Sequence, residues 1–445
     1  MSRNTLFDES TATASAADIS PQLAHFMPGA ELDGDKLTLR WRDLSVSSVF
    51  QPIVSFSHSR VIGHEGLIRI AAAGKNSASL SPPDFFRLVE ATGDLLEMDR
   101  ACRLMHAWNA RNTNGWLFLN LHPALFGRFD ADESAQMVAA MVAGTGVPAH
   151  RFIIEVVEEA VTDRVRLEEG AAALRALGLG LALDDFGAGH SNFDRVWRIQ
   201  PDIVKLDRSF AVRTEHDTAA RRVLPRLVSM LHETGSLVLL EGIETLDQAL
   251  IAMDSDIDFG QGWFFARPTA EPLSDSQPVA SALDSLWTRY ENHIRTQEEA
   301  HHERIAPYLN AIGYAGVLLS SGVPLHNAAG GFLDEPAAEC FYLLDAEGRQ
   351  VGTNISAREQ RGKGALRELG AMPGARWSRR PYFRRALQHP GKPQVTRPYV
   401  SVSSGNTCVT VSAHVRINGV EHVICGDVDW ELLLRVEQGS SVRKR

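Results

Sequence analysis

The chain has 445 residues, of which 44% are hydrophobic and 22% are charged. This length predicts two or three domains, and the composition excludes a mainly disordered protein. The 45 Lys and Arg against 55 Asp and Glu give a net charge of −10. That balance argues against a protein that binds nucleic acid through a basic surface.

Cysteine usage and hydropathy bear on the compartment. The four cysteines are scattered and form no CxxC pair, which fits a reducing compartment and offers no zinc ribbon or redox motif. No run of about 18 apolar residues is present, which predicts no membrane span. The N-terminus lacks the apolar core of a signal peptide. We therefore expect a cytoplasmic protein.

The chain begins with a polar stretch. Asp8–Ser20 consists largely of Ser, Thr, Ala and Asp, and such residues bury little surface. The sequence therefore predicts a disordered or poorly ordered segment over residues 1–40.

Residues 41–275 alternate between short apolar runs and helical patterns. The runs, interpreted as strands, are Ser48–Phe56, Trp116–Leu121, Phe152–Val157, Leu179–Leu183, Ile203–Leu206 and Leu237–Leu240. The helical patterns between them include Pro83–Thr92, Met98–Asn109, Arg164–Leu177 and Ala219–Glu233. This alternation predicts an α/β domain with a mostly parallel sheet. Six or more such units favour a (β/α)8 barrel over an open sheet.

The segment 276–309 reads as one amphipathic connector helix that Pro307 stops. Its apolar positions recur every three or four residues, at Leu283, Trp287, Tyr290 and Ile294. Two interpretations remain open for this stripe. It packs on its own domain, or it pairs with a second copy of the helix.

Residues 310–437 change to alternating, β-branched segments joined by short turns, which predicts an antiparallel α+β domain. The predicted strands are Phe341–Leu344, Gln350–Asn354, Val395–Ser403, Thr407–Val415 and Glu421–Asp429, with a short helix at Tyr382–Leu387. This pattern resembles PAS-like or Cache-like sensor domains. Residues 438–445 form a basic tail.

The resemblance implies a small-molecule ligand for this second domain. The candidate pocket residues are Arg380, Tyr382, Arg397, Tyr399 and either Asp427 or Asp429. The alternative is that the arginines are solvated and the tyrosines belong to the core.

Polar residues end nearly every predicted strand of the first domain. They are Glu65, Asn120, Glu155, Glu158, Asp184, Asp185, Lys205, Glu241 and Glu244. A carboxylate in an apolar strand is costly unless it is paired or binds a metal. The strand ends of a barrel converge on one mouth. Carboxylates with one amide favour a hard ion, Mg²⁺ or Mn²⁺, and with a lysine they suit two-metal hydrolysis of a phosphodiester.

The order of these motifs closely resembles the EAL family of cyclic di-GMP phosphodiesterases, over residues 45–270. The matching elements are Gln51-Pro52-Ile53, Glu65-x-Leu67-x-Arg69, Asn120, Glu155-x-x-Glu158, Asp184-Asp185-Phe186-Gly187, Lys205-Leu206-Asp207, Glu241-Gly242-Ile243-Glu244 and Gln261-Gly262. The fold that this resemblance implies is a modified (β/α)8 barrel. The implied reaction is hydrolysis of cyclic di-GMP to linear pGpG with two Mg²⁺ or Mn²⁺ ions, and the family commonly forms homodimers.

The resemblance also implies a role for each matching residue. Glu65, Asn120, Glu155 and Asp184 would hold one metal ion, and Asp184 with Asp185 would hold the second. Glu241 would be the general base, and Lys205 would hold the attacking water. Gln51, Arg69 and Gln261 would bind the substrate. Glu158 and Glu244 would support neighbouring loops.

Two departures from the family pattern keep rival functions open. Gly66 stands where the signature has Ala, and His190 stands where Tyr is frequent. Glycine adds backbone freedom beside Glu65, which would loosen the site. One rival is a receptor that binds cyclic di-GMP with little or no turnover. The other is a scaffold that uses the barrel for protein contacts and binds no nucleotide.

Overall fold

The computed structural model describes residues 25–72, 80–126, 131–157, 164–189, 193–273, 277–357, 373–402 and 404–440. Contacts between residues divide the chain into two units, Met1–Glu291 and Asn292–Arg445. Within the described ranges no helix is long and apolar enough to cross a membrane.

Eight strands of the first unit close into a ring, which confirms the predicted modified barrel. In ring order they are β3 (Leu44–Ser55), β10 (Phe259–Gly260), β9 (Leu237–Leu240), β8 (Ile203–Leu206), β7 (Gly180–Phe186), β6 (Phe152–Val157), β5 (Trp116–Asn120) and β4 (Arg60–Ala72). Strand β3 is antiparallel to both β4 and β10, and the other neighbours are parallel.

Helices connect the parallel strands of the ring. They are α1 (Pro82–Thr92), α2 (Leu95–Asn109), α3 (Pro123–Phe126), α4 (Ala131–Thr145), α5 (Arg164–Ala176), α6 (Phe193–Ile199), α7 (Arg208–His216), α8 (Thr218–Glu233) and α9 (Leu246–Asp254). Local signals agree with these bounds: Ser81 caps α1 by accepting from the Asp84 amide, and Gly93 ends it in the left-handed conformation.

A small apolar cluster takes one residue from each of seven barrel strands. Its members are Ile53, Phe118, Ile153, Ala182, Ile203, Leu239 and Phe259. All of them are buried. Since side chains alternate between the two faces of a strand, residues two positions away share the face of this cluster. The polar residues of the candidate site lie on this same face.

A hairpin precedes the ring, where the sequence predicted a poorly ordered segment over 1–40. Strands β1 (Ala30–Asp33) and β2 (Lys36–Trp41) pair with each other, and β2 pairs with β3. The prediction is wrong for this part because Leu37 and Leu39 are fully buried, and their burial stabilises the hairpin. Residues 1–24 lie outside the described ranges.

One long helix, α10 (Gln277–Ser320), follows the barrel. Leu283 and Leu286 are buried in the core of the first unit, and the Trp287 indole donates to the Phe56 carbonyl at 2.8 Å. Three of the four predicted stripe residues, Leu283, Trp287 and Tyr290, therefore pack on the first unit. Helix α10 does not stop at Pro307 as predicted, because Tyr308 and Ile312 continue it as buried residues of the second core, which offsets the missing amide.

The second unit contains an antiparallel sheet, as the sequence predicted. Its order is β12-β11-β16-β15-β13, and β14 also pairs with β15. The strands are β11 (Ala338–Asp345), β12 (Gln350–Ser356), β13 (Gln394–Val395), β14 (Tyr399–Val400), β15 (Thr407–Ile417) and β16 (Val420–Asp429). The accompanying helices are α11 (Leu325–Leu333), α12 (Pro381–Gln388) and α13 (Trp430–Ser440). Asn418 and Gly419 form the turn between β15 and β16, both with positive φ.

Candidate active site

The predicted site residues form one layer of the barrel. Asn120, Glu155, Asp184, Lys205, Glu241 and Gln261 each lie two residues after a member of the apolar cluster. Gln51 lies two residues before Ile53, on the one strand that runs in the opposite direction. The two-residue period therefore puts all of these side chains on the inner face, at the same end of the barrel.

Glu65 lies between two amides in this layer. The Asn120 amide donates to its Oε1 at 3.0 Å, and the Gln261 amide donates to its Oε2 at 2.6 Å. Gln51 is the cross-strand neighbour of Glu65 in the β3–β4 register. Asn120 at the end of β5 and Gln261 directly after β10, which are far apart in sequence, thus meet at the carboxylate of one β4 residue.

Lys205 lies at the centre of the acidic residues. Its side chain is 0% exposed, and its Nζ is 2.6 Å from both Glu155 Oε1 and Glu241 Oε1. Asp184 Oδ1 lies 3.0 Å from the same atom and Glu65 Oε2 lies 3.9 Å from it. One ammonium thus faces four carboxylates, so the cluster is anionic when they are ionised.

Burial and neighbouring charges together shift the pKa values of this cluster. Burial opposes the charge on Lys205, but the surrounding carboxylates raise its pKa well above the usual range. Burial and the charge of Glu65 raise the pKa of Glu155 well above its usual range. Burial raises the pKa of Glu241 to about 8, since attraction to Lys205 only partly offsets it.

Burial and neighbouring groups also act on the pKa values of Glu65 and Asp185, but the two net shifts have opposite directions. Burial opposes the ionisation of Glu65, but the Lys205 charge and the two amide hydrogen bonds lower its pKa overall. Burial and the adjacent charge of Asp184 raise the pKa of Asp185. The Glu65 carboxylate is therefore stabilised as an anion, while the negative charge of Asp185 is poorly balanced by positive charge.

The backbone at Asp184-Asp185 departs from regular strand geometry. Asp185 has φ of 56°, and the β7–β8 register shifts between Leu183 and Phe186. A bulge of this kind changes the direction of a side chain at the end of a strand. It allows two consecutive aspartates to contribute to one site, since in a regular strand they would point to opposite faces.

Glu241 begins a segment that several hydrogen bonds fix. The buried Gln248 side chain accepts from the backbone amides of Glu244 and Thr245, at 2.7 and 3.2 Å. Glu244 Oε1 lies 3.1 Å from Arg208. Glu244 therefore lies in its own loop, beside the site, and makes no direct contact with Lys205 among those recorded for the described residues.

A cavity of about 540 Å³ opens beside Glu65 and Asn120. Arg69 lines it and donates to the Ile68 carbonyl at 2.9 Å. Phe86 and His122 form part of the same wall, with ring centroids 5.4 Å apart. The cavity thus joins an arginine and two aromatic rings to the polar layer.

The donor set fits a divalent cation. Oxygen atoms of Asp184, Asp185 and Glu241 all lie within 4.8 Å of one another. Glu155 Oε2 and Gln261 Oε1 are buried and have no hydrogen-bond partner in the described part of the chain. Buried oxygen atoms without partners and a surplus of carboxylates suit a hard cation.

Glu158 and His190 lie outside the described residues. His106 of α2 also lines the cavity, but the sequence analysis missed it. No motif marks this histidine, because the fold brings it to Gly66 from 40 residues away along the chain.

The predicted pocket of the second unit is assembled in part. Arg380, Tyr382, Tyr399 and Asp427 line one small cavity of about 10 Å³, which is the size of about one water molecule. Arg397 and Asp429 are not among its lining residues. Arg397 is exposed, and Asp429 accepts from the Leu432 amide at the start of α13.

Comparison with known proteins places the barrel in a family. Residues 39–268, just over half of the chain, match the family model of the EAL domain. The cyclic di-GMP phosphodiesterase RocR of Pseudomonas aeruginosa is 27% identical over 231 residues, which are 50% of this chain and 57% of RocR. The probable cyclic di-GMP phosphodiesterase PdeB of Escherichia coli is 26% identical over 231 residues, which are 51% of this chain and 43% of PdeB. The chain thus spans about half the length of these relatives.

A solved structure extends the likeness in fold beyond the barrel. The Bacillus subtilis YkuI protein has an EAL domain, and its crystal structure contains the substrate c-di-GMP and calcium. It superposes with a TM-score of 0.68 over 86% of this chain and 96% of its own, at 22% identity. Together with the family match over residues 39–268, the fold leads to one conclusion: the chain belongs to the EAL domain family.

Proposed function

We propose that the protein hydrolyses cyclic di-GMP to linear pGpG. The observation that carries this proposal is the group of four carboxylates around Lys205. It belongs to a layer in which every barrel strand has a polar residue within it or directly after it. RocR, named as a cyclic di-GMP phosphodiesterase, and PdeB, named as a probable one, support the proposal. The 540 Å³ cavity beside the layer supplies space for part of a dinucleotide.

We assign the metal sites to the residues of this layer. Glu65, Asn120, Glu155 and Asp184 would hold one Mg²⁺ or Mn²⁺, and Asp184 with Asp185 would hold the second. When bound, the two ions would neutralise charge on the phosphodiester and make a water molecule more acidic. The unpartnered Glu155 Oε2 supports this assignment.

Glu241 is the proposed general base. Among the four carboxylates around Lys205 its side chain is the most exposed, at 21%, against 11% for Asp184 and 0% for Glu155. A base must reach the water whose proton it accepts, so exposure at the mouth favours Glu241. Lys205 holds this carboxylate in place at 2.6 Å and helps to position the attacking water.

Three residues are proposed to bind the nucleotide. Arg69 lines the cavity, and its guanidinium suits a phosphate. Gln261 uses its amide N–H on Glu65, which leaves its Oε1 free to accept from the substrate. Gln51, the cross-strand neighbour of Glu65, would bind alongside. Glu158 and Glu244 are proposed to support the adjoining loops.

The decisive experiment measures pGpG formation by chromatography with cyclic di-GMP and Mg²⁺ or Mn²⁺. We expect turnover by the wild-type protein, no turnover in EDTA, and a loss of about 10²–10⁴-fold for Glu241→Gln. The exposed Glu233 on α8 provides the control, because Glu233→Gln makes the same chemical change away from the site.

The rival functions predict different results in the same assay. Nucleotide binding without pGpG would identify a receptor and refute the enzyme. If the protein neither binds nor hydrolyses cyclic di-GMP, the scaffold function is the one that remains. Full activity in EDTA would remove the metal-dependent mechanism.

We also propose that the protein is a homodimer. The stripe on α10 does not support this, since Leu283 is buried in the core of the first unit and Trp287 and Tyr290 pack against that core. Trp197 on α6 supports it, because 61% of this residue is exposed about one turn into the helix that follows the loop after Asp185. Light scattering should give a dimer mass for the wild type and a monomer mass for Trp197→Glu. A monomeric wild type would refute the proposal.

Finally, we propose that the second unit binds a small anion and adjusts turnover. Arg380 supports this, because its buried Nε has no hydrogen-bond partner in the described ranges and its guanidinium lies beside the Trp377 and Tyr399 rings. Chloride, a single-atom anion that matches the water-sized cavity, should raise the melting temperature and change turnover of the wild type but not of Arg380→Gln. The exposed Arg379 serves as control through Arg379→Gln. An identical response of all three proteins would refute the role.

A further inference from the structure

Gly66 of β4 and His106 of α2 approach each other closely in the wall of the active-site cavity. A Cβ atom added to Gly66 would lie 2.8 Å from His106 Cγ and 3.0 Å from His106 Cβ. Carbon atoms do not approach to this distance without displacement. An alanine at position 66 is therefore incompatible with His106 as it stands.

Hydrogen bonds keep His106 in this position. Its Nδ1 lies 2.9 Å from the Ser48 hydroxyl, and Ser48 also accepts from the Asn109 amide at 3.1 Å. Asn109 in turn makes two 2.8 Å hydrogen bonds with the backbone of Leu37. His106 is buried, with 4% of it exposed. The imidazole cannot swing away without breaking this network, so the strand would have to move instead.

A movement of the strand at Gly66 would reach Glu65 directly, since the two residues share a peptide bond. Glu65 depends on its position to accept from Asn120 at 3.0 Å and from Gln261 at 2.6 Å. A shift of a few tenths of an ångström at position 66 would strain both hydrogen bonds. The contact between His106 and Gly66 thus bears on the geometry of the cation-binding layer.

We infer that Gly66 and His106 are a matched pair in which His106 is a positioning residue for Glu65. The imidazole occupies the volume that an alanine methyl group at position 66 would need. It therefore packs against β4 in place of that methyl group. The glycine therefore does not loosen the site. This inference rests on the proposed function only in that Glu65 helps to hold a divalent cation.

A cycle of four full-length proteins tests the pair: wild type, Gly66→Ala, His106→Ala and the double variant. Mn²⁺ affinity is measured by titration calorimetry, and the melting temperature is recorded for each protein. We expect Gly66→Ala to weaken Mn²⁺ binding by about tenfold or more, the scale of an overpacked contact. His106→Ala should weaken it by a smaller factor, because it leaves a cavity. The double variant should bind within about threefold of the wild type.

Two further variants keep the test sharp. His106→Asn keeps the Cβ and Cγ atoms that the added methyl group would meet at 3.0 and 2.8 Å, so it should restore Gly66→Ala less well than His106→Ala does. Gly63→Ala is the matched control on the same strand, because its added Cβ would meet the Trp116 carbonyl. No substitution at His106 should restore the Mn²⁺ affinity or the melting temperature of Gly63→Ala. If Gly66→Ala fails to fold while the double variant folds, the pair is supported.

The outcomes separate this inference from the proposed function. Additive effects on Mn²⁺ affinity, or a double variant no better than Gly66→Ala, would refute the pair. Coupled melting temperatures with unchanged Mn²⁺ affinity would reduce His106 to a packing role and also refute positioning. A wild type that binds Mn²⁺ but forms no pGpG would refute the enzyme and leave the pair standing. A wild type that binds no Mn²⁺ would refute both.

Discussion

Each unit of the protein buries acidic side chains, but the two units compensate them differently. In the barrel, Glu155 and Asp184 are buried against the ammonium of Lys205. In the second unit, Asp427 is 4% exposed and accepts from the hydroxyls of Thr410, at 2.7 Å, and Tyr342, at 3.3 Å. The first arrangement uses formal charge and the second uses neutral hydrogen bonds.

This difference determines what each site responds to. A cluster with several carboxylates and one lysine keeps a demand for positive charge, which a divalent cation satisfies. A single buried carboxyl among hydroxyls can lose its charge by taking up a proton. Burial accordingly raises the pKa of Asp427 to about 6. The barrel cluster is therefore suited to cations, and the Asp427 carboxyl of the second unit is suited to proton uptake.

Removal of the lysine should have the largest effect. Lys205→Met leaves buried carboxylates facing each other without a counter-charge, and the loss of one partner of a buried ion pair costs about 3–5 kcal/mol. Urea denaturation in EDTA should show this loss. Saturating Mn²⁺ should recover part of it, because the cation binds only the folded state. An unchanged midpoint in EDTA would show that Lys205 does not balance the cluster.

The pH dependence of the second unit should be the next largest effect. The pKa of Asp427 is raised from the ordinary value of about 3.9 to about 6 in the folded protein. Its protonated form therefore favours folding, so stability falls as pH rises from about 4 to about 6. The full effect is about 3 kcal/mol. Asp427→Asn should exceed the wild type in stability at pH 7.5, and this advantage should vanish towards pH 4. An advantage independent of pH would contradict the shift.

An added methyl group in the second unit should have an intermediate effect. A Cβ on Gly426 of β16 would overlap the ring of the buried Phe332. Gly426→Ala should therefore cost about 1–3 kcal/mol in denaturant titrations, and Phe332→Leu should recover part of the loss. Mn²⁺ affinity should not change, in contrast with Gly66→Ala in the barrel. A parallel loss of Mn²⁺ affinity would remove this distinction between the units.

The smallest effect should come from an exposed helix cap. Thr245 accepts from the Gln248 amide at 3.2 Å and donates to Glu215 at 3.0 Å, at the start of α9. Thr245→Ala should cost about 1 kcal/mol and Thr245→Ser much less. Thermal unfolding measures both. A loss as large as that of Lys205→Met would mean that this segment contributes as much as the buried cluster.

The barrel and the inner layer of its site were predictable because a two-residue period relates them. Once Ile153 and Ile203 are recognised as inward apolar residues, Glu155 and Lys205 must share their face. The bulge at Asp185 was not predictable in this way. Its φ of 56° is a conformation that non-glycine residues rarely adopt, and the tertiary structure imposes it.

Other features escaped prediction because they depend on contacts between distant parts of the chain. The hairpin of β1 and β2 is stabilised by the buried Leu37 and Leu39, whose partners the local sequence does not reveal. Helix α10 passes Pro307 because the residues beyond it are buried in a core. The contact of His106 with Gly66 likewise joins two segments that show no common motif.

The closure of the barrel has a mechanical consequence. Strand β10 contributes only Phe259 and Gly260 to the ring, and it pairs with Ser55 and Val54 of β3. Fewer ladder hydrogen bonds cross this seam than cross the twelve-residue pairing of β3 with β4. The pairing of β10 with β9 is equally short. The ring therefore has a weak longitudinal joint at β10, where local opening should begin and amide hydrogens should exchange first. Gln261 follows the joint directly, so every such opening would also withdraw a hydrogen bond from Glu65.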